Sequence, residues 1–464
     1  MATSTDLCYD IADFIVGTRY EKLSSTAIEG AKKSILDTLG VILAAGGMEP
    51  AVRGVVDFAK EGGGRPESSV LGFGGRVPAV MAAFVNGAMA HCLDYDDQTP
   101  WGQHSASSLI PAVFAVAEKV AAEKGPVSGK DMIAAVAAGQ DLFNRFRCHV
   151  DWRKDWNFST VMGVYCATAA SAHLLGLSRE QVANAMGIAS MQSCGTTAVI
   201  NAVGSDLRAM YAGFPARGAV TAALLAQKGI TGVPTVFEGK YGIFDMYFGN
   251  RYDREKIVDG LGTHYTGGLT LYKRWPAVGT AHSHIHATMG LVADHDLALP
   301  DIDEIRVYVG DYHRLMCDPL EERRAPSTLV DAKFSLPFLV AVAAVRRRMS
   351  LSDFTGEALR DPKVLAAAQK VIPIDDSTLD WKLELPPGRV EIVMRDGRRL
   401  ERVGTGIPGS SEAPMGWDDI VAKFCDCASF AVVPHSADQI RATHKSVQRL
   451  ELARDATEFL RTFS

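Results

Sequence analysis

The chain has 464 residues, of which 47% are hydrophobic and 22% are charged, and its formal net charge is −6. This length predicts two domains, and the residue balance is that of an ordinary globular protein. The acidic balance argues against nucleic acid or an anionic membrane surface as a partner, because no Lys/Arg block stands out beyond residues 346–348.

The cysteines and the first ten residues indicate the cellular compartment in which the protein is expected. Eight cysteines are scattered along the chain, and the Cys425-Asp-Cys427 pair has no second pair nearby to complete a zinc site. The first ten residues carry two acids and no basic stretch, unlike a signal peptide. No uninterrupted apolar run approaches the roughly 20 residues of a membrane span. We therefore expect a cytoplasmic protein with reduced thiols and no membrane partner.

The first half of the chain is predicted to be helical. From residue 7 to about residue 229, apolar residues recur at helical spacing. Thr26-Ala-Ile-Glu29 is typical of a capping box, and Gly46-Gly47 is expected to end the helix that follows it. Alanine-rich helices are predicted over 78–93, 106–123, 129–147, 161–175, 179–190 and 216–228. Together these segments predict a compact α-helical bundle.

The pattern changes near Gly267-Gly268. Residues 302–309 alternate like a strand, and residues 390–394 and 399–403 flank an Asp-Gly turn, which predicts a β-hairpin. Helices are predicted between these strands and again over 417–427 and 436–463. The predicted fold class is therefore mainly α. A large helical domain (1–268 and 406–464) is built from both chain ends, and a smaller α+β lid domain (269–405) is inserted between them.

Five titratable residues stand in an otherwise apolar segment: His91, Asp94, Asp96, Asp97 and His104. Because burying an unpaired carboxylate is costly, the segment either reaches the surface here or lines a polar cavity, and its apolar flanks favour the cavity. The acids have four possible interpretations. They could bind a divalent metal or form the DxDD proton donor of helical terpene cyclases. Alternatively, Asp94 supports His104 in acid/base chemistry, or the acids belong to a solvated loop. The chain is short for a cyclase and only 8% aromatic. In the acid/base interpretation, Asp94 orients the imidazole and raises its pKa.

Other candidate residues would suit an anionic substrate. Lys273 lies at the predicted domain boundary, where ligand sites are common, and Arg208 offers a bidentate fork for a carboxylate. Surface charge is the alternative for Lys273, and an ion pair with Asp206 is the alternative for Arg208. In the His282-Ser-His-Ile-His286 run, only the first and last histidines share a helix face and no third ligand is near. His282 is therefore a candidate pocket residue, and no metal is expected.

Several motifs, in this order, resemble one known family. They are Ser34-Ile-Leu-Asp-Thr-Leu-Gly40, Asn86-Gly-Ala-Met-Ala-His91-Cys-Leu-Asp94-Tyr-Asp-Asp97 with His104-Ser105, Leu174-Leu-Gly-Leu177, Ala189-Ser-Met-Gln-Ser-Cys-Gly195, Lys273 to Pro276, and Asp331-Ala-Lys-Phe-Ser-Leu-Pro337. Along nearly the whole chain, they resemble the MmgE/PrpD family, which includes 2-methylcitrate dehydratase, cis-aconitate decarboxylase and iminodisuccinate epimerase.

The resemblance implies a site between the helical domain and the lid, a homodimer, and no metal or organic cofactor. It implies a small polycarboxylate substrate and proton transfer or carbanion formation beside a carboxylate. Loss of water, loss of CO₂ or inversion of a centre can follow that step. Asp94, His104 and Lys273 match active-site positions of the family.

Three positions depart from the family pattern. Asn157 stands where a histidine is frequent, Arg208 replaces a lysine, and Tyr211 replaces a histidine. Asparagine cannot shuttle a proton, and arginine keeps the charge but hardly donates a proton. The predicted catalytic residues are His104, Asp94, Lys273 and Tyr211, and the predicted substrate-binding residues are Arg208, Asn157, Ser159, His282, Gln98 and Trp101.

The sequence thus predicts a cofactor-independent lyase, either a dehydratase or a decarboxylase, acting on a small di- or tricarboxylate. An epimerase of a dicarboxylate and a non-catalytic polycarboxylate-binding relative are the alternatives. The tryptophans near these motifs (101, 152, 156 and 275) leave room for a bulkier substituent on the diacid.

Overall fold

The computed structural model describes residues 5–152 and 154–464. The first twelve α-helices of this part of the chain are α1 Leu7–Gly17, α2 Ser25–Met48, α3 Ala51–Glu61, α4 Ala79–Cys92, α5 Ala106–Lys124, α6 Gly129–His149, α7 Phe158–Val161, α8 Gly163–Leu175, α9 Arg179–Ala189, α10 Ala198–Asn201, α11 Leu207–Met210 and α12 Gly213–Gln227. The helices predicted for this half are confirmed, but two short strands within residues 68–77 interrupt the helical pattern.

Ten further α-helices follow. They are α13 Ile243–Phe248, α14 Arg254–Val258, α15 His282–Asp294, α16 Asp311–Arg314, α17 Leu320–Arg324, α18 Leu329–Lys333, α19 Leu336–Arg346, α20 Pro362–Ala368, α21 Trp417–Ser429 and α22 Ala437–Gln448. With this helix content the chain is mainly α, as predicted.

The strands form two small sheets. They are β1 Ser68–Ser69, β2 Arg76–Val77, β3 Ile302–Val309, β4 Val371–Asp375, β5 Arg389–Met394 and β6 Arg399–Val403. The larger sheet has the order β4-β3-β5-β6. Strand β3 runs parallel to β4 and antiparallel to β5, and β5 and β6 pair antiparallel with Ile392 opposite Leu400. The predicted hairpin is therefore confirmed.

The ends of α2 differ from the prediction. The Ser24 side chain accepts the N–H of Ala27 at 3.2 Å, so the helix begins before Thr26 and the predicted capping box is wrong. At the other end the helix continues through both glycines to Met48. These glycines allow close packing, since a Cβ at Gly47 would collide with the backbone oxygen of Phe430. Here glycine serves helix packing rather than helix termination.

Both chain ends meet in the helical bundle. Helix α21 packs against α2, where a Cβ on Gly40 would lie 3.2 Å from the Phe424 ring. One helical stretch, residues 158–175, is apolar and long enough to cross a membrane, but 94% of it is buried within the protein. A helical stretch covered in this way is part of the bundle core.

Candidate active site

The loop between α4 and α5 carries the acidic segment. It turns at Asp94, whose φ of +46° is the left-handed conformation that few non-glycine residues adopt. Asp94, Asp96 and Asp97 are each at most 1% exposed. The solvated-loop interpretation is therefore wrong, and the charged groups face one another inside the protein.

Lys273 neutralises Asp94. Its ammonium group donates hydrogen bonds to the backbone carbonyl of Asp94, at 2.8 Å, and to the Asp94 carboxylate. Burial alone would raise the pKa of Asp94, but the charges of Lys273 and two neighbouring imidazoles outweigh it and hold that pKa well below its usual range. Asp94 is therefore a carboxylate at every physiological pH.

His104 has one nitrogen engaged and one available. Its Nδ1 lies 2.6 Å from the backbone oxygen of Asp97 and 3.3 Å from Asp96 Oδ2. Because both neighbours accept hydrogen bonds, we assign the proton to Nδ1, which leaves the Nε2 lone pair free, 3.6 Å from Asp94 Oδ1. Burial lowers the pKa of His104 to about 4, despite the opposing effect of Asp96. The carboxylates of Asp96 and Asp94 do raise this pKa, as expected, but burial outweighs them, so neutral His104 can accept a proton.

Asp96 connects the two histidines. Its carboxylate accepts a hydrogen bond from His91 Nδ1 at 3.1 Å and also faces His104 Nδ1. The His91 ring packs against the rings of His104 and Tyr211, with centroids 4.8 and 4.3 Å away. Sequence reasoning did not assign this positioning role. The only local signal for it was the five-residue spacing between His91 and Asp96.

Asp97 is a buried acid of a different kind. Its carboxylate accepts hydrogen bonds from Ser34 Oγ, at 3.2 Å, and from the N–H of Ala106, at 3.1 Å. Burial, together with the nearby charge of Asp96, raises the pKa of Asp97 to about 7. Asp97 therefore titrates near neutral pH, and its backbone oxygen orients His104.

The ligand atoms of His91, Asp94, Asp96 and His104, four of the five titratable residues that the sequence brings to notice, all lie within 4.8 Å of one another. Two of these ligands are already engaged, because Asp94 is paired with Lys273 and Asp96 is bonded to His91. A cation held by all four residues would have to displace the ammonium group of Lys273.

The histidine run lacks the contacts of a metal site. His282 Nε2 faces the backbone oxygen of Ala277 at 3.2 Å, and His284 Nε2 faces that of Tyr308 at 2.9 Å. Both rings are engaged with backbone rather than aimed at a common centre. Burial lowers the pKa of His282 to about 3 and that of His284 to about 4, so both are neutral.

Arg208 is a buried cation with donors to spare. It is 1% exposed, its guanidinium stacks on the Phe334 ring at 3.4 Å, and its Nε and Nη1 have no hydrogen-bond partner among the described residues. Among the described residues, Arg208 forms no ion pair with Asp206 or with a neighbouring acid. Burial lowers the pKa of Arg208 to about 9. A buried cation of this kind is satisfied by an anion.

Two adjoining cavities lie beside these groups. The inner cavity is lined by His104, Tyr211, Asn157, Ser159 and Gln98, with aromatic residues opposite. The outer cavity is lined by Lys273, His282 and the loop 404–412. Four residues line both cavities: Gln98, Gly279, Thr280 and Leu385. The Gln98 amide packs so closely on Gly279 that a Cβ there would collide with it. Gln98 therefore forms the boundary between the two.

The predicted binding residues differ in how directly they reach these cavities. Ser159 Oγ accepts the N–H of His104 at 3.0 Å, so it also orients the loop. Asn157 Nδ2 lacks a hydrogen-bond partner among the described residues and faces the inner cavity. Trp101 lines neither cavity and instead offers its backbone oxygen to Arg147 at 2.8 Å. Arg208 lies behind the cavity wall, close enough to Tyr211 and Tyr312 for their charges to act on its pKa.

Three aromatic residues complete the inner cavity: Trp152, Tyr312 and Trp381. The sequence placed Trp152 near the motifs but gave no role to Tyr312 or Trp381. Both come from the segment between β3 and β5, more than 200 residues after His104. No local pattern in the sequence indicates that they meet it.

Two family models together match most of the chain. Residues 9–255 match the MmgE/PrpD N-terminal domain, and residues 275–449 match the MmgE/PrpD C-terminal domain. The chain is 27% identical to cis-aconitate decarboxylase-like protein oryM of Aspergillus oryzae, over 98% of this chain and 96% of that protein. It is 28% identical to cis-aconitate decarboxylase of Aspergillus terreus, over 85% and 82%.

A relative with a different named reaction is equally well covered. The chain is 25% identical to 2-methylcitrate dehydratase of Cupriavidus necator, over 97% of this chain and 95% of that protein. The two domain matches, in order and spanning most of the chain, agree with the motifs around His104 and Lys273. This protein belongs to the MmgE/PrpD family.

Proposed function

We propose that this protein is a cofactor-independent lyase, a dehydratase or a decarboxylase, that acts on a small di- or tricarboxylate by proton transfer at the carbon next to a carboxylate. One observation carries the proposal: neutral His104, with Nε2 free, lines a cavity and stands between two fixed carboxylates. The names of the relatives, a decarboxylase and a dehydratase, support the reaction class.

In the proposed reaction, His104 Nε2 takes the proton from the carbon beside a substrate carboxylate. The imidazolium that forms has Asp94 Oδ1 at 3.6 Å and Asp96 Oδ2 at 3.3 Å, so both carboxylates stabilise its charge. Burial raises the pKa of Tyr211 well above its usual value, so its hydroxyl stays protonated and holds a proton that a departing hydroxide can take. In decarboxylation, the bond between that carbon and a carboxylate would break instead, CO₂ would leave, and the carbanion formed would take a proton from the Tyr211 hydroxyl, which solvent then reprotonates.

The charge pattern favours an anionic substrate. Arg208 has hydrogen-bond donors without a partner among the described residues. The buried ammonium group of nearby Lys333 donates instead to the backbone oxygen of Cys92. Lys273 lines the outer cavity and has one N–H left after its two bonds to Asp94. Two carboxylates at separate positions match these cations better than one.

Epimerisation is the second candidate reaction. It requires proton transfer on both faces of a carbon, and Asn157, which lines the same cavity as His104, cannot shuttle a proton. A single base suits elimination or decarboxylation better. A non-catalytic polycarboxylate-binding protein would need Arg208 and Lys273 but not the neutral His104.

We also propose that the protein acts as a homodimer, as the family resemblance implies. Nine large apolar residues are exposed in the segment 191–246, and the most exposed of them are Met191 at 83%, Tyr241 at 80% and Met246 at 62%. Exposed apolar groups of this size suit an interface between subunits. Light scattering after gel filtration should give twice the chain mass, and a monomer at micromolar concentration would contradict the proposal.

The reaction is tested by NMR in D₂O with a panel of di- and tricarboxylates, following both loss of substrate and exchange of the α-proton. We expect turnover of at least one compound, unaffected by prolonged EDTA treatment and lowered roughly 10²–10⁴-fold by His104→Ala. Binding without exchange or turnover by the wild-type protein would favour the non-catalytic alternative. Loss of activity to EDTA, restored by Mg²⁺ or Zn²⁺, would contradict the cofactor-independent mechanism.

A further inference from the structure

The loop that carries the buried acids, residues 94–97, is held by other parts of the chain at every position. Each of its four residues has a buried hydrogen-bonding partner, and the partners come from four different segments. They are Lys273 for Asp94, Lys423 for Tyr95, His91 for Asp96 and Ser34 for Asp97. Lys423 differs from the other partners, because the loop residue that it holds is not an acid.

Lys423 lies on α21 and is buried together with a compensating charge. Its ammonium group donates to the backbone oxygen of Tyr95 at 2.6 Å and lies 3.9 Å from the centre of the Tyr95 ring. The Asp37 carboxylate lies 2.7 Å from the same ammonium group, and both charged side chains are at most 2% exposed. A lysine is almost never buried to this extent unless it is paired. Lys423 lines neither cavity, so it acts through the loop rather than on a substrate.

Close packing of two helices brings Lys423 to the loop. Helices α2 and α21 approach each other at Gly40, where a Cβ would lie 3.2 Å from the ring of Phe424, the residue after Lys423. Asp37 and Ser34 are three residues apart on α2, so they share one face of that helix. Ser34 Oγ donates directly to an acid of the loop at 3.2 Å, while Asp37 pairs with Lys423. One face of α2 therefore supports the loop at two points, one of them through Lys423.

The hydrogen bond from Lys423 orients the peptide group that precedes Asp96. A peptide group is planar, so holding the carbonyl oxygen of Tyr95 also restricts the direction in which the chain continues into Asp96. The Asp96 carboxylate in turn lies 3.3 Å from His104 Nδ1. The preceding carbonyl of the loop is bound in the same way by Lys273, at 2.8 Å. Two consecutive carbonyls are thus each bound by a buried ammonium group.

We infer that Lys423 is a positioning residue of the active site: its ammonium group holds the Tyr95 carbonyl and, through the next peptide, the Asp96 carboxylate that faces His104. The inference rests on the proposed function for the role of His104. It adds that helix α21 is required for the geometry around this base, although Lys423 lies 328 residues after Tyr95 in the chain.

Hydrogen exchange followed by mass spectrometry tests the inference without any substrate. The N–H groups of Asp94 and Gln98 donate to backbone oxygens at 2.8 and 2.9 Å, so both amides are protected while the loop keeps its shape. The variant is Asp37→Asn/Lys423→Met, which removes the ammonium group without leaving an unpaired buried carboxylate. We expect peptides that cover residues 93–99 to exchange roughly tenfold faster in this variant than in the wild type.

Lys32→Met is the matched control. Lys32 is also a buried lysine that joins α2 to the C-terminal part of the chain, and it donates to the backbone oxygen of Gln448 at 3.0 Å and to the Glu451 carboxylate at 3.2 Å. These contacts lie outside the loop, so Lys32→Met should lower stability and leave exchange of residues 93–99 unchanged. Unchanged exchange of the loop in the double variant would overturn the inference, and so would equal acceleration in both proteins.

Steady-state kinetics test the consequence for the reaction. With the diacid that the wild type turns over, the double variant should have a kcat roughly tenfold lower and a nearly unchanged KM, because the imidazole is misplaced while the carboxylate-binding cations remain. A wild-type kcat in a variant whose loop exchanges faster would overturn the positioning role. Circular dichroism checks that each variant folds, and Asp37→Leu/Lys423→Met, an apolar replacement of the pair, provides the same readouts if the first variant does not.

The two proposals fail in different ways. Absence of turnover by the wild type contradicts only the proposed function, since hydrogen exchange still measures the hold of Lys423 on the loop. Turnover by the wild type, together with normal loop exchange in the double variant, contradicts only this inference.

Discussion

The ammonium group of Lys273 binds both the backbone carbonyl and the carboxylate of Asp94, so one cation fixes the charge and the left-handed conformation of the same residue. Both residues are 1% exposed. Loss of activity on replacing Lys273 would therefore combine a chemical effect with a displaced loop.

The first prediction separates these effects. Lys273→Met leaves Asp94 buried without its partner, which should lower the free energy of unfolding by about 3–5 kcal/mol. The double variant Lys273→Met/Asp94→Asn removes the unpaired charge and should recover most of that loss. Urea unfolding of the three proteins measures both changes, and a Lys273→Met protein as stable as the wild type would contradict the pairing.

The second prediction concerns the base. His104→Ala should lower turnover roughly 10²–10⁴-fold without changing the fold. In the wild type, kcat/KM should rise with pH through about 4, where His104 loses its proton, and stay level from there to neutral pH. His286→Ala is the control, since His286 lines neither cavity. An acid limb at pH 6.5 would show that His104 has an ordinary pKa.

The third prediction concerns Asp96 as a positioning residue. Its charge raises the pKa of His104, although burial has the larger effect, so Asp96→Asn should shift the acid limb of kcat/KM to lower pH. The weakened orientation of the imidazole should lower kcat roughly tenfold and leave KM nearly unchanged. A merely structural role would lower stability without moving the pH profile. The pH dependence of kcat/KM, compared with thermal unfolding, distinguishes the two.

The fourth prediction concerns Arg208. Replacing this buried cation with methionine should stabilise the free enzyme by about 1–4 kcal/mol, because it removes unsatisfied donors from the interior. The same change should raise KM strongly. Arg208→Lys keeps the charge but loses the fork, so its KM should rise more than its kcat falls. Steady-state kinetics and thermal unfolding test both variants, and an unchanged KM would place the carboxylate site elsewhere.

The fifth prediction concerns Asp97, whose pKa is raised to about 7. Because folding favours the protonated acid, its contribution to stability is complete below the unfolded pKa of 3.8 and is lost as pH rises through 7. Asp97→Asn mimics the neutral form and should raise the unfolding temperature at pH 8 more than at pH 5. An equal effect at both values would mean that Asp97 is ionised throughout.

The sequence predicted the parts of the site that lie close together in the chain. Asp94 and His104 are ten residues apart, so a loop was enough to bring them together. The burial of Asp96 and Asp97 was not predictable locally, because three acids in four positions look the same on a surface and in a cavity. It depends on Ser34 and on His91, which reach these carboxylates only in the folded bundle.

The features that the sequence did not predict were missed for similar reasons. Strand β4 contains Pro373 and runs parallel to β3 at the edge of the sheet, so it lacks the alternation that marked the other strands. Trp381 stands in a segment without periodicity, and its role depends on Gly102 in the first half of the chain. The pKa of His104 depends on its burial in the folded protein, which no local spacing reveals.

The edge-to-face pair of Trp152 and Trp381 gives the protein a built-in optical probe. Two indoles with centroids 5.4 Å apart couple their electronic transitions, and this coupling depends on their mutual orientation. A ligand that enters the inner cavity or separates its walls changes that orientation. Near-ultraviolet circular dichroism of the unlabelled protein can therefore report cavity occupancy directly, even for compounds that the enzyme does not turn over.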